Sequence, residues 1–282
     1  MFKLEYTNSK NKTIRFYDRP YRLVLVEGIG GVAVENTLQK TVNQDGASLV
    51  NSSLEPRTIS ITLKIVGENR AEIERMRGEL AGVFNPRLGE GTLTYVGGKT
   101  RAIKCIVDAT PYFPDGQGNR GNTFQKVQIE LIAPDPFWMD AEDKKEELVS
   151  KQGGLTFPLV LPTRFATLGD NRIHFDNEGD VDAPIKIEIK GTATRPKLML
   201  EETGEFLQIK EKLTSDDTVV ITTGFGNKRV EKNGENAFNV LQLPESVFFN
   251  LRQGHNVIKV TTDDTSDDIE VNILYKNRYL EV

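Results

Sequence analysis

The feature that most constrains this chain is the stretch from Glu55 to Val107, where a strand pattern, a helix pattern and a second strand pattern follow one another directly. Its first segment, Arg57 to Gly67, alternates apolar and polar side chains, which is the period of a half-buried strand. The apolar positions are Ile59, Ile61, Leu63 and Ile65. A chain with this order of periods is expected to bury one helix against a sheet.

The helix is predicted over Arg70–Phe84. Asn69 is suited to cap its amino end, and the acidic residues of its first turn are favoured there by the helix dipole. Its apolar residues fall on one face; they are Ile73, Met76, Leu80 and Phe84. Pro86 ends the helix, because proline disfavours a helical conformation in the residue before it.

Two short strands around Gly97-Gly98 complete the stretch, because paired glycines favour a hairpin turn. Their apolar positions are Leu93 and Tyr95, then Ile103, Cys105 and Val107. Cys105 is the one cysteine of the sequence, which excludes an internal disulfide and a multi-cysteine zinc site. Its place in an apolar line favours a buried small hydrophobic residue over a reactive thiol.

Further strand patterns surround this stretch within residues 1–140. They cover Phe2–Asp18 (as two strands), Tyr21–Val26, Val32–Leu38 and Phe124–Ile132. Ala109–Asn122 is predicted to be a loop, because it combines two prolines and three glycines with polar residues. We therefore predict an N-terminal β-sandwich-like domain with one packed helix.

From residue 156 onward the strand patterns become short and frequent, and no convincing helix pattern interrupts them. They cover Phe157–Leu161, Arg172–Asp176, Pro184–Gly191, Lys197–Glu201, Glu205–Ile209, Thr218–Thr223, Lys228–Lys232, Val247–Asn250, His255–Thr262 and Asp268–Tyr275. Turn signals between them are typical of a β-sandwich. We predict a mainly β protein with domains at residues 1–140 and 156–282 and a charged linker at residues 141–155.

Charge and hydropathy exclude several classes of function. The net charge is −5 overall, with +2 in residues 1–140 and −7 in residues 141–282, and neither half is basic enough to indicate nucleic-acid binding. No apolar run approaches the ~20 residues of a membrane span, and the first residues lack the apolar core of a signal peptide. We expect synthesis in a cytoplasm and no membrane partner.

Three segments carry partial marks of a chemical site. Gly28-Ile29-Gly30-Gly31 follows a strand as a dinucleotide-binding loop does, but no helix pattern comes after it, which favours a turn. Asp115–Asn119 is rich in oxygen donors but lacks the closing glutamate of a calcium loop, which favours a mobile loop. His174 and His255 lie on separate strands without an acidic motif in triad spacing, which favours ordinary strand histidines.

Three further features have both a functional and a structural interpretation. The acidic cluster Asp263–Asp268 favours a solvated hairpin tip over a calcium site or a hydrolase pair. Phe137 and Trp138 are the aromatic pair able to stack on a sugar, but their proline-flanked position favours packing. Phe225, between two glycines, suits either an exposed partner contact or an inward anchor. We predict no catalytic, cofactor-binding or metal-binding residue, and no enzyme.

Short phrases along the chain carry a family resemblance. They are Asp45-Gly46-Ala47, Pro56-Arg57, Val83-Phe84-Asn85-Pro86, Gly91-Thr92-Leu93-Thr94-Tyr95, Asn177-Glu178-Gly179, Gly191-Thr192 and Gly254-His255-Asn256-Val257-Ile258. In the order and spacing of these phrases the chain resembles the distal tail (Dit) proteins of siphophages, long-tailed phages that infect Gram-positive bacteria. In that family the protein is the hub of the tail tip or baseplate.

This resemblance implies a structural virion protein that forms a homo-hexameric ring through its first domain. It implies a galectin-like β-sandwich as the second domain, and around residues 41–52 a hairpin arm that reaches a neighbouring subunit. The implied partners are the tail tube protein, the tail-associated lysin or tail fibre hub, and a receptor-binding protein. The ring would connect the tail tube to the baseplate and adhesion apparatus.

A carbohydrate-binding protein is the alternative. In it the second domain recognises host cell-surface glycan, and the first domain is a scaffold. Sugar sites usually need an exposed aromatic platform, and no tryptophan follows Trp138. A glycosidase, the third class, needs two carboxylates that face each other across a cleft. Weak glycan binding by the second domain is an expectation compatible with the hub.

Overall fold

The computed structural model describes residues 2–149, 151–152, 167–168, 171–264 and 267–282. The chain divides into two compact units: unit 1 is Met1–Ala141 with Tyr279–Val282, and unit 2 is Glu142–Arg278. The fold is mainly β with one α-helix among the described residues, which confirms the predicted fold class. The strand predicted at Phe157–Leu161 lies outside the described residues.

Unit 1 is built on a nine-stranded antiparallel sheet and a separate two-stranded hairpin. Its elements are β1 Lys3–Thr7, β2 Thr13–Arg15, β3 Tyr21–Glu27, β4 Val34–Gln39, β5 Ser48–Leu54, β6 Arg57–Val66, α1 Arg70–Val83, a 3-10 helix Pro86–Leu88, β7 Gly91–Val96, β8 Thr100–Tyr112, β9 Phe124–Ala133 and β10 Trp138–Asp140. The main path of the sheet runs β2-β1-β7-β8-β9-β6-β3, β10 pairs with β8, and the ninth strand, β24 (Arg278–Tyr279), pairs with β10.

Strand β8 joins the two halves of this sheet. Its residues 100–105 pair with β7, and its residues 106–112 pair with β9. The loop predicted from Ala109 is therefore wrong for residues 109–112. The pairing shifts register between Val107 and Ala109 and again between Ala109 and Tyr112. Such irregularities allow Pro111, which cannot donate a ladder hydrogen bond, to lie within the strand.

Helix α1 covers one face of the sheet and closes the core of unit 1. The Asn69 side chain accepts a hydrogen bond from the Glu72 amide at 3.0 Å, as expected of an N-cap. The apolar face packs into the core with β6, β8 and β9. Cys105 is completely buried in that core, and burial raises the pKa of its thiol to about 12. The predicted burial of Cys105 is confirmed.

Unit 2 consists mainly of two packed antiparallel sheets. Its strands are β11 Lys144–Val149, β12 Lys151–Gln152, β13 Thr167–Leu168, β14 Arg172–Asn177, β15 Ile185–Thr194, β16 Lys197–Leu200, β17 Phe206–Gln208, β18 Lys212–Leu213, β19 Thr218–Thr222, β20 Arg229–Lys232, β21 Glu235–Asn236, β22 Gly254–Thr261 and β23 Asp268–Tyr275, with a 3-10 helix at Phe238–Val240. Strand β24, Arg278–Tyr279, leads the chain back into unit 1.

The two sheets of unit 2 run β11-β23-β15-β19-β20-β21 and β14-β22-β16-β17. Inward-facing residues of both sheets, such as Ile187 and Ile258, belong to one buried cluster. This arrangement confirms the predicted sandwich, while its galectin likeness stays a prediction.

Two predictions about the secondary structure of unit 2, at residues 141–155 and 247–250, are wrong. The segment 141–155, predicted as a linker, contains β11, which pairs with β23 from Lys144 opposite Tyr275 to Val149 opposite Glu270. Its inward-facing Leu148 is buried, but the charged residues around it hide the strand pattern. Val247–Asn250 is not a strand; its buried Phe249 fills the core from a loop.

The acidic segment Asp263–Asp268 is also not a hairpin tip. Strands β22 and β23, which it joins, belong to different sheets, so the segment crosses between the layers. Asp267 is buried and accepts a hydrogen bond from the Thr194 amide at 2.6 Å. Its carboxylate therefore holds the crossing in place. Residues 265–266 of the cluster lie outside the described residues.

Candidate assembly surface

The most exposed element of unit 1 is the hairpin of β4 and β5, here called the arm (Val34–Leu54). Among the described residues its two strands pair only with each other, and none of their side chains is buried. A two-stranded hairpin without a buried face is marginally stable in water. This element confirms the hairpin arm of the predicted fold class.

One face of the arm is apolar at both ends. The cross-strand pairs on this face include Val34 opposite Leu54 and Leu38 opposite Leu49. The exposed fractions of Leu38 and Leu49 are 61% and 62%. Apolar side chains so exposed on a projecting hairpin are suited to burial against another protein chain.

The tip of the arm is shaped by local hydrogen bonds. The Gln44 side-chain oxygen accepts from the Thr41 amide at 3.1 Å and from the Thr41 hydroxyl at 3.0 Å. Gly46 has a φ of 76°, a left-handed conformation that glycine adopts without strain. This requirement accounts for the glycine of the Asp45-Gly46-Ala47 phrase. Val42 at the tip is 93% exposed.

A buried arginine follows the arm in the chain. Arg57, at the start of β6, is 2% exposed, and burial lowers the pKa of its guanidinium. The guanidinium donates five hydrogen bonds to backbone carbonyls. The acceptors are Pro136 at 2.8 Å, Gly28 at 2.9 Å, Gly30 at 2.8 Å, Gly31 at 3.1 Å and Leu280 at 2.6 Å.

The loop Gly28–Gly31, which leads into β4, forms the root of the arm together with Arg57. Gly28 has a φ of +83°, and a Cβ there would lie 2.0 Å from the Thr58 carbonyl oxygen. The indole nitrogen of the buried Trp138 donates to the Ile29 carbonyl at 3.1 Å. The interpretations of the glycine segment as a turn and of Trp138 as a packing residue are therefore confirmed.

Arg57 was not predicted as a site residue, although the sequence carries a signal for it. It has the same parity as Ile59, Ile61 and Leu63 along the strand, so it must point to the core side. An arginine on the core side of a strand needs several acceptors. The glycine segment provides three of them.

Strand β3 offers a second exposed apolar surface in unit 1. It is the last strand on the main path of the sheet, and its Val24 and Leu25 are 55% and 51% exposed. The pairing of β3 with β6 shifts between Leu23 and Leu25. An edge strand with exposed apolar residues is suited to contact with another chain.

The structure places the remaining candidate residues of the sequence as follows. Asp115 pairs with Arg120 at 2.9 Å, and no three His, Cys, Asp or Glu side chains among the described residues converge to hold a metal ion. Phe225 is completely exposed, so its interpretation as an inward anchor is wrong. His174 and His255 are brought together, which the sequence did not indicate.

No helix within the described ranges is long and apolar enough to cross a membrane.

Two protein-family models match the chain. Residues 178–279 match the model described as "Siphovirus-type tail component, C-terminal domain". Residues 16–133 match the model described as "Phage tail protein RIFT-related domain". Together the two models cover most of the chain, in the order that the resemblance predicts. No curated protein matches the chain significantly.

Solved structures share the fold over the whole chain. The Dit protein of phage SPP1, described as a paradigm of the hub adsorption apparatus in phages that infect Gram-positive bacteria, has a TM-score of 0.72 at 13% identity, with 99% of each chain covered. A chain of the phage p2 baseplate in its activated conformation with Ca has a TM-score of 0.58 at 13% identity, with 100% of each chain covered. The p2 baseplate structure with Sr gives the same values. At this identity the likeness concerns the fold.

Proposed function

Since this chain belongs to the siphovirus-type tail component (Dit) family and is a structural hub protein of a phage tail, we propose that it closes into a hexameric ring through unit 1. The ring joins the tail tube to the baseplate and the adhesion apparatus. The protein has no enzymatic role. It is made in the host cytoplasm and becomes part of the virion at the tail tip.

The observation that carries this proposal is the arm, an ordered hairpin with no buried side chain of its own. Its apolar face gains a hydrophobic environment when it lies on a neighbouring copy, and each copy in a closed ring both gives and receives an arm. Five hydrogen bonds from Arg57 hold the root of the arm. The root is therefore fixed within its own subunit, and the β4–β5 hairpin is the part available for contact with a neighbouring copy.

The other partners are assigned by position in such a ring. The tail tube protein and the tail-associated lysin or tail fibre hub bind its two faces. Unit 2 serves as the binding site for receptor-binding proteins. Weak glycan binding stays a prediction for unit 2, where the fully exposed Phe225 is an aromatic side chain accessible to a sugar or a protein.

The test compares two double variants of the arm. Leu38→Asp with Leu49→Asp places two charges on the apolar face, whereas Thr37→Asp with Asn51→Asp places two charges at the neighbouring cross-strand pair on the opposite face. Light scattering measures the mass in solution, and negative-stain imaging detects six-fold rings. Both are repeated with the tail tube protein present, because ring closure depends on concentration and partners.

We expect rings from the wild-type chain and from the Thr37/Asn51 variant, and monomers from the Leu38/Leu49 variant. All four substituted positions are exposed, so the monomer should keep its folding free energy. Rings of unchanged mass and symmetry from the Leu38/Leu49 variant would show that the apolar face of the arm is not an interface.

A further inference from the structure

The two histidines of the chain meet on the outer face of the β14-β22-β16-β17 sheet of unit 2. His174 lies opposite Val257, and His255 lies opposite Asp176, so the two imidazoles are diagonal neighbours on the same face. Nδ1 of His174 lies 3.4 Å from Nε2 of His255. Both side chains are exposed, so an ion can reach them from solvent.

Asp176 sets the orientation of one of these rings. Its Oδ1 lies 3.1 Å from Nδ1 of His255, where the imidazole N–H donates to the carboxylate. The proton on Nδ1 leaves the lone pair of Nε2 directed toward His174. A carboxylate behind an imidazole is the common arrangement around protein-bound zinc, because it fixes the tautomer and makes the ligand more basic.

The separation of the two nitrogens matches a metal site. In a tetrahedral zinc site with Zn–N bonds of about 2.0–2.1 Å, two ligand nitrogens lie about 3.3–3.4 Å apart. We propose that His174 and His255 bind a transition-metal ion of the Zn²⁺ class, with Asp176 as a positioning residue for His255. In the isolated chain, water fills the other coordination positions, since the described residues bring no third ligand to the pair.

The chemistry of the ligands selects the class of ion. Imidazole nitrogen suits Zn²⁺, Cu²⁺ and Ni²⁺, whereas Ca²⁺ and Mg²⁺ require oxygen ligands. The bound ion would tie β14, the edge strand of its sheet, to its neighbour β22. Binding to the folded state alone raises the melting temperature of unit 2. The site does not depend on ring formation.

The composition of the chain makes this proposal easy to test. The sequence has two histidines and one cysteine, and Cys105 is completely buried in unit 1. The full chain, produced without a histidine tag, is titrated with ZnCl₂ in a calorimeter, and CaCl₂ is the control ion. We expect one Zn²⁺ per chain, no heat of binding from Ca²⁺, and affinity at least about 10-fold lower for His174→Ala and for His255→Ala.

A matched pair of acidic variants tests the role of Asp176. Asp176→Asn should weaken Zn²⁺ binding about 10- to 100-fold, while Glu178→Gln, the neighbouring exposed acid paired with Lys144 at 3.4 Å, should bind as the wild type does. Electron paramagnetic resonance of bound Cu²⁺ should show two coordinated nitrogens in the wild type and one in either histidine variant.

Three results would overturn the proposal or part of it. Absence of Zn²⁺ binding by the wild type at millimolar concentration rules out the site. Wild-type affinity in both histidine variants places the ion elsewhere. Wild-type affinity in Asp176→Asn removes the positioning role. Circular dichroism confirms that each variant is folded, which is expected because all the substituted side chains are exposed.

Discussion

Strands β5 and β6 follow one another in the chain and differ in almost everything except their secondary structure. In β6 every second side chain is buried, whereas β5 has no buried side chain. Strand β6 pairs with both β3 and β9, while within the described ranges β5 pairs only with β4. Burial therefore stabilises β6, and the arm depends on a single ladder of backbone hydrogen bonds.

The difference in burial between β5 and β6 assigns stability and surface contact to separate parts of one stretch of about forty residues. The core strand and the root of the arm supply stability, and the arm supplies a surface. A surface held in this way can adapt to a neighbour without loss of core packing. Substitutions on the two sides of Arg57 should therefore act on different quantities: assembly for the arm, and the free energy of unfolding for β6.

The largest loss of unfolding free energy is expected from substitutions of Arg57 at the root of the arm. Arg57→Ala removes five hydrogen bonds and leaves five backbone carbonyls, at buried and partly buried positions, without their donor, so unit 1 should lose about 3–5 kcal/mol of unfolding free energy. Arg57→Lys keeps the charge but has fewer donors, so its loss should be smaller. Urea unfolding of the full chain, monitored by the fluorescence of Trp138, measures both.

The exposed Arg87→Ala is the matched control and should leave the unfolding curve unchanged. A loss below about 1 kcal/mol for Arg57→Ala would mean that water replaces the guanidinium at the carbonyls. In that case the root would not be the rigid part of this region.

The second-largest difference in unfolding free energy is expected between two leucine-to-alanine substitutions, one in β6 and one in β5. Leu63 in β6 is completely buried and Leu49 in β5 is 62% exposed. Leu63→Ala should cost about 2–5 kcal/mol through lost burial and a residual cavity, whereas Leu49→Ala should stay within about 0.5 kcal/mol in the monomer. Thermal and urea unfolding of monomeric protein measure the two values. Equal losses would show that the arm has a core contact.

The smallest expected change in stability concerns a turn. It follows from a comparison of the arm turn with a turn of unit 2. The arm turn uses neutral Gln44, whereas in the turn before β19 the carboxylate of Asp217 accepts from the Thr214 amide at 2.8 Å and from the Asn233 side chain at 3.1 Å. Hydrogen bonding, chiefly from the Thr214 backbone, lowers the pKa of Asp217 from 3.8 to about 2. The folded state therefore binds this proton less readily than the unfolded state.

A carboxyl pKa that is lower in the folded state stabilises the protein above pH ~4 and loses that contribution as the pH falls toward 2. Unit 2 should lose less than about 1 kcal/mol over this window, because solvent screens the partly exposed group. Unfolding of the wild type and of Asp217→Asn from pH 5 to pH 2 isolates this contribution. If the unfolding free energies of the two proteins had the same pH dependence, the contribution of Asp217 would be contradicted.

Local periodicity made most of the strands and the helix predictable. The helix follows from Asn69, its apolar spacing and Pro86, all within one window of sequence. The sequence phrases around Asn177 and Asn256, which carry the family resemblance, are explained by hydrogen bonds between residues close in sequence. The buried Asn177 side chain accepts from the Gly179 amide at 3.0 Å, and that of Asn256 accepts from the Arg252 amide at 2.8 Å.

Long-range pairing was not predictable from these patterns. No local signal places His174 beside His255, which are 81 residues apart, or assigns β22 and β23 to different sheets. Strand β11 was missed because only one of its described side chains enters the core. The candidate assembly surface was predicted in outline through the arm, while its apolar face depends on a register that only the structure provides.

The hydrogen bond from Arg57 to the Leu280 carbonyl, across 223 positions of sequence, has a consequence for biosynthesis. A ribosome that has made unit 1 as far as Ala141 has not yet supplied residues 279–282, which also belong to that unit. The guanidinium then lacks one acceptor until Leu280 has been added to the chain. Unit 1 is therefore completed only after unit 2 has been synthesised.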